Sequence, residues 1–245
     1  NVPSAVGGGI REKVLRMNVG LTGHRQLMNS VVPGGVRRDI PDSRLKELDD
    51  FLLEIKFEVE DLASMMESPA LLDRLDGTGI LKREKAEEIA AVGPIARASG
   101  IDSDARKDIG YELYGELGMK VVTAEKGDVH ARTSVRLGEI TESISLIHQC
   151  IQSMEPGETR IRPSVEDGCR VSVVEAPRGE LVHYADIRDG RVWRYVVRDP
   201  SFVNWFGMCH AVPGNVVPDF PLINKSFGLS YSGNDLRGGP CSTGV

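Results

Sequence analysis

The sequence predicts an α+β fold, mostly helical, in which a helical bundle carries one small antiparallel sheet. Two long runs place apolar residues at alternating spacings of three and four, the period of an amphipathic helix. A later stretch rich in β-branched and aromatic residues is broken by Asp189-Gly190, a dipeptide suited to a two-residue hairpin turn.

Taken in order, a short helix is expected around Arg11 to Met28, with Gly7-Gly8-Gly9 interrupting it upstream and Pro33-Gly34-Gly35 making a tight turn after it. Leu45, Leu48, Leu52, Ile55, Val59, Leu62 and Met66 form the first long apolar stripe, with Ser43 as candidate N-cap and Ser68-Pro69 as its end. Pro69 can open the next helix and Gly77 close it; Lys82 to Ala91 makes another, stopped at Gly93-Pro94. Asp128 caps the second long helix, whose stripe is Leu137, Ile140, Ile144, Ile147, Ile151 and Met154 and whose end is Pro156-Gly157. Strands are expected over Arg170 to Glu175, Glu180 to Arg188 and Arg191 to Arg198. Asp199-Pro200-Ser201 then starts a helix with Phe202, Trp205, Phe206 and Cys209 on one face, and the rest is expected to be mostly irregular.

With 245 residues the chain can bury a sizeable core. One domain over 1–245 is expected: a helical part over about 11–156, the sheet over about 168–198 and a closing segment over about 199–236. A net charge of -6 argues against a nucleic-acid partner, whose phosphates call for clustered Lys and Arg. No apolar run is long enough to span a bilayer, so membrane association is expected through other subunits. Cys150, Cys169, Cys209 and Cys241 are far apart and lack the spacing of a zinc or iron-sulfur ligand set.

Arg178 is the first candidate for chemistry. It lies in a Pro-Arg-Gly turn between two strands, where a rigid proline and a permissive glycine can hold a guanidinium at a fixed point. Arg97, Asp102 and Arg106 form a second charged group, with Asp104 and Asp108 nearby; it is either a partner-facing cluster or a salt-bridged loop pinning two helices. Arg132 and Arg136 share a helix face, and their mutual repulsion calls for an acidic or ligand partner for each. His24, His130, His148 and His210 have no assigned chemistry, whereas His183 follows Arg178 closely enough to be included.

Several runs carry a family resemblance: Glu175-Ala176-Pro177-Arg178-Gly179-Glu180, Pro218 to Ser226, Ser230-Tyr231-Ser232-Gly233-Asn234-Asp235, Gly93 to Gly100, Gly127 to Arg132 and Pro33 to Ile40. Together, over roughly Arg11 to Leu236, they resemble the large subunit shared by membrane-bound, energy-converting nickel-iron hydrogenases and respiratory complex I. The resemblance implies a hydrogenase large-subunit-like fold and a further region before Asn1, so the chain is expected to be N-terminally incomplete. It implies that Arg178 and Asp235 handle charge and protons, and that Arg97, Asp102, Arg106, Arg132 and Glu175 line the substrate cavity or the partner interface, to which His183 is added for its place after Arg178 in the same strand.

One departure changes the chemistry. The places of the two closing nickel-ligand cysteines hold Ser230 and Gly233, and neither a hydroxyl nor a bare backbone replaces a soft thiolate. No cofactor is therefore expected on this chain and no nickel-iron centre. The implied cluster sits on an iron-sulfur small subunit, with pump-like membrane subunits as further partners and a peripheral place on the cytoplasmic side of the membrane. The expected function is an oxidoreductase subunit passing electrons to a quinone-like or other acceptor; the alternatives are a true nickel-iron hydrogenase large subunit and a non-catalytic coupling subunit.

Overall fold

Helix α1 (Val2–Thr22) runs straight through Gly7-Gly8-Gly9, where the sequence pattern places an interruption. Each glycine costs a helix about 1 kcal/mol relative to alanine. Packing against α2 (Asp42–Met66) overrides that cost: Gly7 faces Leu62, and Lys13 reaches Glu54 at 2.7 Å and also Glu58. The helix stops at Gly23, whose φ of +80° suits glycine. Between these helices the short strands β1 (Val31–Val32) and β2 (Gly35–Val36) pair antiparallel around the Pro33-Gly34 turn. The N-cap of α2 is Pro41, not Ser43, which lies inside the helix.

The computed structural model describes Val2 to Asp235 and falls into two units. One runs up to Leu71 and includes Ile140–Val165; Leu45, Leu52, Ile55, Val59, Ile144 and Leu146 are its buried apolar residues. The other comprises Leu72–Glu139 and the chain from Glu166 on, and it holds every described residue singled out for chemistry above.

Short helices come next: α3 (Pro69–Leu75), α4 (Arg83–Glu88), α5 (Pro94–Ala98) and α6 (Ala105–Asp108). Helix α4 is shorter than its sequence pattern because Ala90 takes a φ of +52°. Helix α7 (Val129–Ser153) begins where expected, with the Asp128 carboxylate accepting the Ala131 N–H at 2.7 Å and the Gly77 N–H at 2.8 Å. Its expected apolar stripe is only partly used. Ile144 is buried, while Ile140, Ile147 and Met154 are exposed.

Strands β3 (Gly168–Ala176), β4 (Gly179–Arg188) and β5 (Arg191–Arg198) form one antiparallel sheet in sequence order, hinged at Pro177-Arg178 and at Asp189-Gly190. Its register pairs Glu175 with Glu180 and His183 with Ser172 and Val197.

Helix α8 (Pro200–Ala211) is capped by Asp199, which accepts the Ser201 N–H at 2.8 Å. On the face that carries the large apolar residues Phe206 and Cys209 are exposed and Phe202 and Trp205 half-buried, while Ser201, Asn204, Gly207, Met208 and Ala211 are buried. Small residues on the inner face let the backbone approach its neighbours closely; a Cβ on Gly207 would sit 3.2–3.3 Å from Ile89, Leu81 and Phe227.

The segment expected to be irregular is helical. A turn of 3-10 helix (Val217–Asp219) leads into α9 (Phe220–Phe227), with Pro221 in the first turn, where its missing N–H costs nothing, and Gly228 at φ +64° as the stop. Helix α10 (Tyr231–Asp235) follows. Leu236 and Cys241 lie outside the described residues. Among those described, no helix is long and apolar enough to cross a membrane.

Candidate functional site

Arg178 is exposed at the tip of the β3–β4 hairpin, and its Nε donates to the Gly228 carbonyl at 2.6 Å, just beyond the C-terminus of α9. The hairpin tip is pressed backbone to backbone against the turn that opens α5. A Cβ on Gly93 would fall 2.3 Å from the Gly179 Cα, and one on Gly179 would fall 2.8 Å from the Gly93 nitrogen. Both glycines have positive φ, +68° and +128°. The Pro-Arg-Gly and Gly-Pro motifs, 84 residues apart in sequence from Gly93 to Pro177, are thus two sides of one contact.

Behind that contact lies a buried ionic network. Arg97 is 1% exposed; its Nε donates to Glu139 at 2.7 Å, and its Nη1 donates to Glu175 and to the Ser103 carbonyl at 3.0 and 2.9 Å. Asp104 lies 3.1 Å from the same nitrogen and takes a two-pronged interaction from Arg106 at 2.7 and 2.9 Å. The second Glu175 oxygen accepts the Ala105 N–H at 3.1 Å, and the Glu175 N–H donates to the Tyr111 hydroxyl at 3.0 Å. Burial pushes the Glu175 carboxyl above its ordinary range despite Arg97. Burial pushes Asp104 in the same direction, but the Arg106 hydrogen bonds and the charges of Arg97 and Arg106 outweigh it and hold Asp104 low.

Asp102 stands apart from this network, on the surface, paired with Lys107 at 2.9 Å. The buried carboxylate between the two arginines is Asp104, fixed there because it also caps α6 through the Arg106 N–H.

Arg132 and Arg136 have partners of a different kind from those their spacing suggests. Arg132 is fully buried and donates to the Ser226 hydroxyl and to the Gly127 and Gly79 carbonyls at 2.9, 2.6 and 2.9 Å. Its guanidinium lies 4.4 Å from the centre of the Phe227 ring. Arg136 donates to the Ser226 and Phe227 carbonyls at 2.7 and 2.9 Å. Arg136 and Arg178 thus satisfy carbonyls at the end of α9, where unpaired acceptors and the negative end of the helix dipole attract cations. Burial, and after it the charge of Arg136, presses the Arg132 guanidinium below its ordinary range.

His183 sits in mid-sheet with its Nδ1 2.5 Å from the Tyr195 hydroxyl, and Asp235 is exposed at the end of α10. The hairpin separates His183 from the Arg178 tip, so sequence proximity does not make the two a pair. Ser230 caps α10: its hydroxyl accepts the Gly233 N–H at 3.1 Å, and its own N–H donates to the Ser201 hydroxyl at 3.0 Å.

Gly233 is buried against Asp199. A Cβ built on it would fall 2.4 Å from the Asp199 carboxyl carbon and 2.6–2.7 Å from its oxygens. The space a closing cysteine would need is filled by a carboxylate, and the Ser230 hydroxyl is engaged in a helix cap. The residues present do not fit the nickel-iron group. The described cysteines, Cys150, Cys169 and Cys209, are free thiols, with Cys169 accepting from the Tyr184 hydroxyl at 3.0 Å.

Sequence reasoning used Asp199 and Ser201 only as a helix start and passed over Asn204. A signal was present, since Ser201 and Asn204 are polar residues three apart in a mostly apolar helix, and that spacing puts them on one face.

A helical chain with one three-stranded antiparallel sheet, an arginine-tipped hairpin against a Gly-Pro turn and a closing Ser-Tyr-Ser-Gly-Asn-Asp helix defines the hydrogenase and complex I type of large subunit. The chain belongs to the family described as "Respiratory-chain NADH dehydrogenase, 49 Kd subunit", which matches residues 3–166 and 162–235. It is 34% identical over 248 residues to the membrane-bound hydrogenase subunit alpha of Pyrococcus furiosus, covering 92% of this chain and 57% of that protein. It is likewise 34% identical over 237 residues to an NADH-quinone oxidoreductase subunit of Sinorhizobium medicae, covering 82% and 58%. Among solved structures, a chain of the membrane-bound sulfane sulfur reductase, an archaeal respiratory membrane complex, superposes with a TM-score of 0.86 at 28% identity, covering 93% of this chain and 65% of that one. The chain therefore spans less than two thirds of the length of these relatives.

Proposed function

We propose that this chain is part of the large subunit of a membrane-associated oxidoreductase, of the NADH:quinone oxidoreductase or energy-converting hydrogenase type. It forms a redox cavity against an iron-sulfur small subunit, on the cytoplasmic side of the membrane and beside pump-like membrane subunits. Electrons leave the partner's cluster for a quinone-like or other acceptor, with protonation coupled to the transfer. The observation that carries this reading is the Gly233–Asp199 contact: a carboxylate occupies the place of a metal-binding sulfur, while the Arg178 turn of the same family is kept. The names of the relatives support the class, since they include a quinone oxidoreductase subunit and a sulfane sulfur reductase alongside hydrogenases.

The chemistry follows from the side chains. An acceptor that gains electrons gains negative charge, and a guanidinium already fixed in place stabilises that charge without reorganising. Arg178 is such a group. Its Nε is anchored on Gly228, which leaves its terminal nitrogens as donors. For the coupled protonation Asp235 is the candidate, the exposed carboxylate of the closing motif.

The test uses the intact complex. Metal analysis is expected to find iron from the partner's cluster but no stoichiometric nickel, and a panel of short-chain quinone, polysulfide and protons identifies the acceptor. Stoichiometric nickel with hydrogen turnover would replace this reading by the hydrogenase one. Arg178→Ala is expected to lower acceptor turnover at least tenfold, a loss of about 1.4 kcal/mol of transition-state stabilisation. Unchanged turnover in an assembled complex would make the chain a coupling subunit.

A further inference from the structure

We propose that Asn204 is a positioning residue for Arg178, acting from α8 through the backbone of the hairpin tip; this rests on the reading of Arg178 given above. Asn204 is fully buried, and its amide is used on both sides. Its Oδ1 accepts the Val92 N–H at 3.1 Å, and its Nδ2 donates to the Val92 carbonyl at 3.1 Å and to the Arg178 carbonyl at 3.5 Å. One side chain thus holds the residue that precedes the Gly93-Pro94 turn and the residue that bears the guanidinium. No Cβ intervenes between Gly93 and Gly179, so the distance between the two turns is set by backbone contact and by this amide.

The same helix also fixes the other half of the site. Ser201 Oγ, fully buried, accepts the Ser230 N–H at 3.0 Å, and the Asp199 cap packs on Gly233. Each polar group on the inner face of α8 therefore touches a segment of the family motif: Asn204 the arginine turn, Ser201 and Asp199 the closing helix. Burying an amide is costly unless its hydrogen bonds are made. An apolar residue at position 204 would pack but would leave the Val92 N–H, the Val92 carbonyl and the Arg178 carbonyl without this partner. The Arg178 side chain is fixed at its Nε by Gly228 and at its backbone by Asn204, and losing either anchor frees the guanidinium to move relative to a bound acceptor.

The experiment measures turnover by the assembled complex with whichever of short-chain quinone, polysulfide or protons the wild type reduces. Four forms are compared: wild type, Arg178→Ala, Asn204→Ala and the double variant. Asn204→Ala is expected to lower kcat about tenfold with KM changed less than twofold, and the double variant to be no slower than Arg178→Ala alone. Asn204→Asp separates placement from general packing and serves if the alanine variant fails to assemble. The introduced carboxyl can donate to the Arg178 carbonyl only when protonated, so kcat is expected to recover toward wild type as pH falls. A double variant slowed by the product of the single effects, or an aspartate variant with the wild-type pH profile, overturns the proposal. If Arg178→Ala itself keeps full turnover, or the wild type reduces none of the acceptors, the underlying reading of the site falls instead.

Discussion

Gly233→Cys is expected to bind no nickel and to destabilise the protein by about 2 to 4 kcal/mol. The new Cβ would stand 2.4 Å from the Asp199 carboxyl carbon, a separation that cannot persist. Overfilling a packed site costs about 1–3 kcal/mol. The Asp199 side chain could swing away, but it caps α8 by accepting the Ser201 N–H at 2.8 Å, and giving up an N-cap costs about 1 kcal/mol more. Adding Asp199→Ala should relieve the collision while forfeiting the cap, so the double variant should be less destabilised than the sum of the single variants. Thermal unfolding of the complex checks the first statement, at about 2–4 °C per kcal/mol for a chain of this size, and metal analysis checks the second. A stable variant carrying nickel would show that the carboxylate yields readily and that the loss of sulfur alone kept the metal out.

How much of this was legible in the sequence depended on whether the signal was local. The β4–β5 hairpin and the Asp199 and Asp128 caps are decided by residues within a few positions of one another, and they stand where the sequence puts them. The glycines of α1 misled because their cost is local whereas the packing that outweighs it comes from α2. The buried face of α8 was not legible for a related reason. Hydrophobicity marks Phe202, Trp205, Phe206 and Cys209, but close backbone approach selects the small residues, and polar Ser201 and Asn204 go inward because partners await them. At the candidate site, the motifs located Arg178, Arg97 and Glu175. They did not reveal that Asp104 rather than Asp102 completes the network, because only the turn of α6 decides which aspartate faces inward. Nor could the spacing of Arg132 and Arg136 show that Arg136 serves carbonyls at the end of a helix 90 or more residues away, or that Arg132 serves the Ser226 hydroxyl and the Gly127 and Gly79 carbonyls.

Arg97→Ala is expected to cost about 3–5 kcal/mol, the penalty for removing one partner from a buried ion network and leaving charge uncompensated. Three carboxylates depend on it, from Asp104, Glu139 and Glu175, and Arg106 reaches only Asp104 with hydrogen bonds. Glu175→Gln should cost less, about 1–3 kcal/mol, because burial already raises that carboxyl and the amide oxygen still accepts from Arg97, while the Ala105 N–H loses its acceptor. The raised group also sets a pH dependence. A carboxyl that holds its proton more firmly folded than unfolded stabilises the fold below its unfolded pKa, and that contribution is lost as pH rises from there through the folded value. Asp104, held low, works in the opposite sense: its contribution is present above the ordinary aspartate range and is lost on acidification through its lowered value. Glu175→Gln should therefore flatten the fall in unfolding midpoint as pH rises above the usual glutamate range, and leave the acid limb due to Asp104 in place. Midpoints measured against pH for wild type and variant decide it. A variant that removes the acid limb instead would transfer the titrating role to Glu175 and leave Asp104 with a purely structural one.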